Sequence, residues 1–389
     1  MDRVNATTPS ASSADDPARA AFTALRTPEG EQLLAELRDH DPADELATAT
    51  RLRRAHPAEL VSAALGQARL RQRAVAKFGA EDAYRMYFTP NGVEQATRTS
   101  VAAHRAARFA GLGVRSVADL CCGIGGDATA LARANAQALG LADLIEVRCA
   151  DVTEIDTAPY DAVFVDPARR GGRGRIFDPE AYSPPLSWAT AAALKAPRAA
   201  LKIAPGIPHE AIGPEAEAEW ISDGGDVKEA VLWYGAGFAP GAFRATLLPS
   251  GATLSAPAPL PAPPVGPVGR YLYEPDGAVI RARLVADLVE RCGGRLVDET
   301  IAYITSDEPY SSPYVAGYEI TDELPFSMKR LKALLRERQI GVLTVKKRGS
   351  AVEPEELRRR MKLSGPGSAT VFLTRVAGAP TMLIGHPLG

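Results

Sequence analysis

The sequence predicts an α/β protein, in which a sheet of mostly parallel strands follows a helical N-terminal region and precedes an α+β domain. Three observations predict it. Between Ser116 and about Leu254, apolar runs end at their carboxyl sides in Gly, Asp or Pro, as in "SVADLCC", "IEVRCAD", "YDAVFVDPA" and "AALKIAPG". Runs of that kind are what strands buried on both faces look like. A glycine-rich turn from Gly123 to Gly126 carries the first run into a helix. A Pro/Ala-rich stretch over residues 256–267 then splits off a charged tail.

The elements follow in order. The 389 residues are 46% hydrophobic and 24% charged, with a net charge of −2. That is room for two or three domains and a real core, and it excludes global disorder. The whole molecule is not a polycation, so an anionic partner must be met by a local patch. Residues 1–20, rich in Ala, Ser, Thr, Asp and Pro, are expected to be a disordered tail and not a signal peptide. From 21 to 88 the apolar spacing is helical, punctuated by Pro42 and Pro57. Arg51, Arg53, Arg54, Arg69, Arg71 and Arg73 decorate it, either as solvated helix faces or as an accessory nucleic-acid surface.

Thr89-Pro90-Asn91-Gly92 signals a turn, and a helix is expected from Glu94 to Arg108. The α/β stretch spans 89–255. Within it, "VKEAVLWYG" and "FRATLLPS" are expected to pair antiparallel and close the sheet. Residues 256–270 form a linker. The α+β domain, 271–389, is expected to hold helices over Val279–Cys292 and Phe326–Arg338, the strand "IGVLTVKK", a helix from about Pro354 and a final hairpin. Four cysteines, Cys121, Cys122, Cys149 and Cys292, show no C-x-x-C spacing, which argues against a zinc ribbon and a disulfide framework. No metal site is expected, and the chain reads as cytoplasmic. No run of 18 apolar residues exists, so no membrane partner is expected.

The most informative segment is Val117 to Asp127. Glycines let a backbone approach a ligand closely at a sheet's carboxyl edge. The Gly-Lys-Ser/Thr of a phosphate loop and the spacing G-x-G-x-x-G are both absent. Asp119 sits in the loop, where it would repel a pyrophosphate but suit the α-amino group of a methionine moiety. S-adenosylmethionine (SAM) therefore fits better than NAD or ATP. Asp151 ends another run, where a carboxylate meets an adenine amine or a ribose, or simply forms a turn. Asp166 and Pro167 end a third run, beside the expected methyl-transfer position. Arg169, Arg170, Arg173 and Arg175 follow, interleaved with glycines, as a phosphate grip or a solvated loop. Lys202 reads as a phosphate contact or, better, a snorkelling lysine, and His209 as a general base or a solvated side chain.

"DLCCGIGGD", "ADV" and "VFVDPARR" together resemble the ordered motifs of class I SAM-dependent methyltransferases, RNA methyltransferases above all. The first motif and "MYFTPNGVEQAT" are similar to trimethylguanosine synthase-like enzymes. "DPAR" is similar to the Asp-Pro-Pro-Arg of some tRNA base methyltransferases. The run from Leu324 to His386, centred on "LTVKKRG", looks like the THUMP-like domain of bacterial methyltransferases. The resemblance covers residues 84–389. It implies a Rossmann-like class I methyltransferase sheet, a C-terminal α+β THUMP-like domain, SAM as cofactor and RNA (tRNA or rRNA) as partner. It implies that Asp119, Cys121, Gly123, Gly125, Gly126, Asp151 and Val152 line SAM, with Asp119 near its amino group and Asp151 facing adenine. Asp166 and Pro167 would be the catalytic pair beside the acceptor.

Two departures stand out. Ala168 and Arg169 occupy places where amino-directed enzymes carry proline and a stacking aromatic, so stacking would come from Phe88 or Tyr182, or the target is not an exocyclic amine. Further, only 19 residues lie between Gly126 and Glu146, room for one helix. The sheet is thus shortened by one strand–helix unit, and the strand whose acid grips the ribose is missing. Since a sheet tolerates no central gap, strand 145–150 is expected beside strand 116–121, with Asp151 inheriting the ribose. The alternative is a damaged cofactor site.

From Phe326 to Arg375 there are 13 Lys and Arg against 4 Glu, a net of +9, which leaves −11 on the rest. This asymmetry points to a polyanion. Lys346, Lys347 and Arg348, with Arg169, Arg170 and Arg173, are the expected RNA contacts. The expected function is SAM-dependent methylation of an RNA base. A noncatalytic RNA-binding protein on a degenerate methyltransferase fold, and a small-molecule methyltransferase, remain open at this point.

Overall fold

The structure, a computed structural model, describes residues 17–122, 126–168, 170–171, 174–175, 178–258 and 260–388. The expectations for residues 1–16, Gly123, Gly125, Arg169 and Arg173 fall outside them. The chain forms two compact units, Met1–Arg108 with Cys121–Asp156, and Phe109–Leu120 with Thr157–Gly389.

In the first unit, α1 (Pro17–Leu25), α2 (Pro28–Glu36), α3 (Glu45–Leu52) and α4 (Ala58–Arg85) pack around Leu33, Leu34, Leu37, Leu52, Leu60, Val61 and Leu65. The first helix starts inside the stretch expected to be tail, because Pro17 suits a first helical position and "ARAAFTAL" is rich in helix formers. Thr27 caps α2 through its hydroxyl on the Gly30 amide, with Pro28 at the first position. Gly30 is required by close approach, since a Cβ there would lie 2.3 Å from the Ala24 carbonyl oxygen. α4 kinks at Gly79, whose φ is 75°.

The segment Thr89–Gly92 is a helix start and not a free turn. The Thr89 hydroxyl accepts from the Gly92 amide, and the expected single helix is two, α5 (Pro90–Gln95) and α6 (Thr99–Gly111). α7 (Gly126–Ala138) follows the glycine turn. Its Asn135 side chain accepts from the Tyr87 amide at 2.7 Å and donates to the Tyr87 carbonyl at 2.9 Å.

The strand expected over 145–150 does not form, and so does not lie beside the first strand. All but one of its six residues are exposed, and the Arg148 guanidinium bonds both oxygens of Glu146, at 2.7 and 2.9 Å. Without burial, "IEVRCA" has too little apolar area to hold a strand.

In the second unit the first sheet contains β1 (Val117–Leu120) and β2 (Ala162–Val165), and β3 (Arg170–Gly171) with β4 (Gly174–Arg175) forms a separate small hairpin. α8 (Leu186–Lys195) leads to β5 (Arg198–Ile203), then come β6 (Glu217–Asp223), β7 (Asp226–Gly235), β8 (Phe243–Leu248) and β9 (Ala252–Ala256). The order is β1-β2-β5-β7-β6-β8-β9, with β1, β2 and β5 parallel. Their carboxyl ends therefore share one edge, where ligands of such sheets bind. Among the described residues β1 ends the sheet.

The segments "VKEAVLWYG" and "FRATLLPS" do not pair with each other. β6 lies between them, antiparallel to β7 and parallel to β8. Its glutamates hid it in the sequence. Glu219 is fully buried and accepts from the Trp233 indole at 2.8 Å and the Thr246 hydroxyl at 2.6 Å. Glu217 accepts from Arg244 Nε at 2.6 Å. Buried carboxylates are stable only with such partners.

The second sheet contains β10 (Tyr271–Pro275), β11 (Arg295–Asp298), β12 (Ile301–Ser306), β13 (Val315–Pro325), β14 (Ile340–Lys347), β15 (Gly367–Val376) and β16 (Ala379–Pro387). Its order is β11-β12-β10-β13-β16-β15-β14, and only β14 and β15 run parallel. The expected helix over Val279–Cys292 is broken at Arg283, φ 56°, into α9 (Gly277–Arg281) and α10 (Val285–Arg291). α11 (Met328–Glu337) and α12 (Pro354–Met361) bury Leu331, Leu335, Leu357 and Met361 with Val345, Val371 and Met382 of the sheet.

Asp298 ties the hairpin end of this sheet. It accepts from the Thr300 hydroxyl at 2.6 Å, the Thr300 amide at 2.9 Å and the Gly378 amide at 2.7 Å. The Thr300 hydroxyl, then its amide, hold the carboxyl below its usual pKa. A depressed acid stabilises the fold above its unfolded pKa of about 4 and loses that contribution as pH falls through the folded value. Asp298→Ala is expected to cost about 1–2 kcal/mol at pH 7 in urea titration, with the difference from wild type shrinking in acid. An equal deficit at pH 7 and well below pH 4 would count against this account.

Candidate active site

The site is built from the end of β2. "AVFV" pairs with β1 and β5 in parallel, with Val165 opposite both Leu120 and Leu201. One step further, the Asp166 amide donates to the Leu120 carbonyl at 3.2 Å, and Pro167, which has no N–H, ends the ladder. Ala168 and Ser183 then exchange two backbone hydrogen bonds, 2.8 and 3.1 Å, which pins the turn.

The same register sets Lys202 of β5 beside Asp166. Its Nζ donates to Asp166 Oδ2 at 2.6 Å. The lysine side chain is 6% exposed and the carboxylate 30%. Lys202 is thus neither a snorkelling lysine nor a free phosphate contact, because a buried ammonium needs an anionic partner and the neighbouring strand end supplies one. Sequence reasoning named both residues without joining them. Each stands one residue past the matched pair Val165–Leu201, a register that the sequence does not display.

Asp119 is exposed and lies within β1, opposite Phe164, and not in the loop expected from the sequence, because the strand ladder runs on to Leu120. Cys121, the residue after next, has φ 68°, a left-handed conformation that non-glycine residues adopt at a cost of about 1–2 kcal/mol. Gly126 opens α7.

Asp151 caps a 3-10 turn, Val152–Glu154, accepting from the Thr153 amide at 2.9 Å and hydroxyl at 2.7 Å. Those bonds, the amide's first, hold its carboxyl below the usual range. Arg170 pairs through its backbone with Arg175 in the β3–β4 hairpin. Phe88 and Tyr182 are both buried, so neither ring is open for stacking. His209 donates from Nε2 to the Arg281 carbonyl at 2.9 Å and stacks on Trp220 at 5.0 Å. Burial holds its imidazole below the ordinary pKa, which makes it a neutral packing group and not a solvated base. Lys346 and Arg348 both bond Glu274, and Lys347 bonds Glu353.

SAM carries a cationic amino group beside a sulfonium. Two carboxylates on adjacent parallel strands, Asp119 within β1 and Asp166 one residue past β2, fit that methionine end. The adenosine end finds less, since among the described residues no strand lies outside β1 to carry a ribose-binding acid.

The C-terminal segment, residues 315–387, matches the family model described as THUMP domain-like. Residues 16–74 match a domain of unknown function. Two Mycobacterium tuberculosis proteins, from strains CDC 1551 and H37Rv, are each 35% identical over 333 residues, covering 79% of this chain and 90% of theirs. Both are named uncharacterized S-adenosylmethionine-dependent methyltransferases. A crystal structure of a "putative methyltransferase" from Porphyromonas gingivalis W83 matches with a TM-score of 0.67 at 21% identity, over 96% of this chain and 98% of that one. No described helix is long and apolar enough to cross a membrane.

Proposed function

The chain belongs to the S-adenosylmethionine-dependent methyltransferases and uses S-adenosylmethionine, and from that premise we propose that it methylates a base of RNA, tRNA or rRNA, in the cytoplasm. The observation that carries this reading is the outer face of the THUMP-like domain. α11 carries Lys329, Arg330, Lys332 and Arg336, and α12 carries Arg358, Arg359 and Arg360. The apolar sides of both helices are buried in the sheet, and Lys332 Nζ donates to the Arg360 carbonyl at 3.2 Å, so the helices lie side by side. All these cations except the half-buried Lys332 are exposed. Apart from Arg360, which pairs with Glu356, the face is better placed to meet phosphates than Lys346, Lys347 and Arg348, which carboxylates already hold.

Bound SAM supplies an electrophilic methyl group. Asp119 would meet its amino group, and Asp166 would work on the acceptor. Asp166 Oδ2 is held by Lys202, which leaves Oδ1 without a partner among the described residues. Oδ1 is then the atom that orients an acceptor N–H or takes its proton. Pro167 closes the strand so that this carboxylate stands at the edge.

Binding to bulk tRNA tests the RNA reading. For about four phosphate contacts, affinity should fall about 10²-fold between 50 and 200 mM salt. Lys329→Glu with Arg336→Glu and Arg358→Glu should weaken binding and flatten that slope. An affinity that ignores salt would sink the reading. So would an unchanged nucleoside mass-spectrometry profile in cells lacking the gene.

A further inference from the structure

The helical unit holds a hollow of about 730 Å³ that the methyl-transfer reading does not use. Its floor is Arg71, one of the arginines that decorate α4 in the sequence. Arg71 is 7% exposed. Its Nε donates to the Met86 carbonyl at 2.9 Å, and its guanidinium lies 5.1 Å from the centre of the Tyr87 ring. Burial pushes its pKa below the usual arginine value. Among the described residues no carboxylate lies within ion-pair distance of it, although a buried cation without a counter-ion is costly.

Three further arginines line the hollow. Arg38 covers the Tyr84 ring at 4.8 Å. Arg26 is held by the Gln137 side-chain oxygen at 2.9 Å, and Arg85 by the Ala138 carbonyl at 2.6 Å. Glu31 is the one carboxylate among the residues that line the hollow, against four arginines. Guanidinium forks match phosphate oxygens in pairs, and the half-buried Tyr84, unlike the buried Tyr87, offers ring surface to a base. Asn135 ties the Tyr87 backbone to α7 through two hydrogen bonds.

We propose that this hollow seats a phosphorylated nucleotide, its phosphate on the arginines and its base against Tyr84. The nucleotide is either free or part of a single-stranded RNA, and the inference stands apart from the RNA reading of the C-terminal domain. Calorimetry on the full chain tests it. The probes are the four 5′-nucleoside monophosphates, an eight-nucleotide single-stranded RNA and inorganic phosphate. At least one nucleotide probe should bind below millimolar, and monophosphate or octamer binding shows which source applies. Arg71→Met should abolish that binding, and variants of the exposed Arg38 and the half-buried Tyr84, Arg38→Glu and Tyr84→Leu, should each weaken it at least tenfold. No heat from any nucleotide probe at millimolar concentration overturns the proposal. A smaller loss in Arg38→Glu, or inorganic phosphate binding as tightly as the nucleotides, also overturns it. Salt-dependent tRNA binding untouched by these variants would locate the failure here and leave the C-terminal reading standing.

Discussion

Asp166→Asn is expected to slow methyl transfer from SAM to RNA by about 10²- to 10⁴-fold, the usual contribution of a positioned acid–base group. Asparagine keeps the size of the side chain, and its amide oxygen still accepts from Lys202. What disappears is the negative charge and the basic oxygen that Oδ1 offers to an acceptor proton. Packing should change little, because Asp166 is part-exposed at the edge of the sheet. The measurement is transfer of labelled methyl to bulk tRNA, run beside calorimetry with SAM. SAM affinity within threefold of wild type, with transfer reduced at least a hundredfold, is the expected pair of results. A variant that still transfers within tenfold of wild type would remove Asp166 from the reaction.

Lys202→Met is expected to lower stability by about 3 kcal/mol and to reduce transfer as well. The lysine is buried and its partner is 30% exposed. Removing one partner of a buried pair leaves the other charge poorly solvated, which costs about 3–5 kcal/mol when burial is complete. Partial exposure of Asp166 places the figure at the lower end. Methionine fills most of the lysine's volume, so a cavity contributes little. The double variant Asp166→Leu with Lys202→Met should recover much of the loss, giving a coupling of about 1–3 kcal/mol in a double-mutant cycle. Urea midpoints measure all four proteins. Additive losses would mean that the 2.6 Å pair has no energetic role.

Several elements were legible in the chain because their causes are local. The apolar run "AVFV" followed by Asp166-Pro167 is a strand that must stop there. Ser327 caps α11 by accepting from the Arg330 amide, and Pro354 opens α12. Ala377 and Gly378, both at positive φ, turn β15 into β16 where the sequence predicts a hairpin. The segment with a net charge of +9 was countable without any coordinates.

Other features were hidden, and they share a reason. β6 reads as a polar loop because Glu217 and Glu219 find their partners, Arg244, Trp233 and Thr246, 14 to 27 residues away. Residues 145–150 have the composition of a strand but stay exposed, since β-structure depends on neighbours and not on the segment alone.

By itself the chain determined that a helix begins near Gly126, that Asp166 follows a strand end, and that the cations gather near the C-terminus. Only the tertiary structure decided who meets whom. It set Lys202 under Asp166, gave Lys346 and Arg348 to Glu274, turned the cations of α11 and α12 outward, and buried Arg71 against Tyr87. Turns, caps and strand ends follow from residues within a few positions of each other. Ion pairs and strand neighbours follow from register and packing across many residues, which no local pattern encodes.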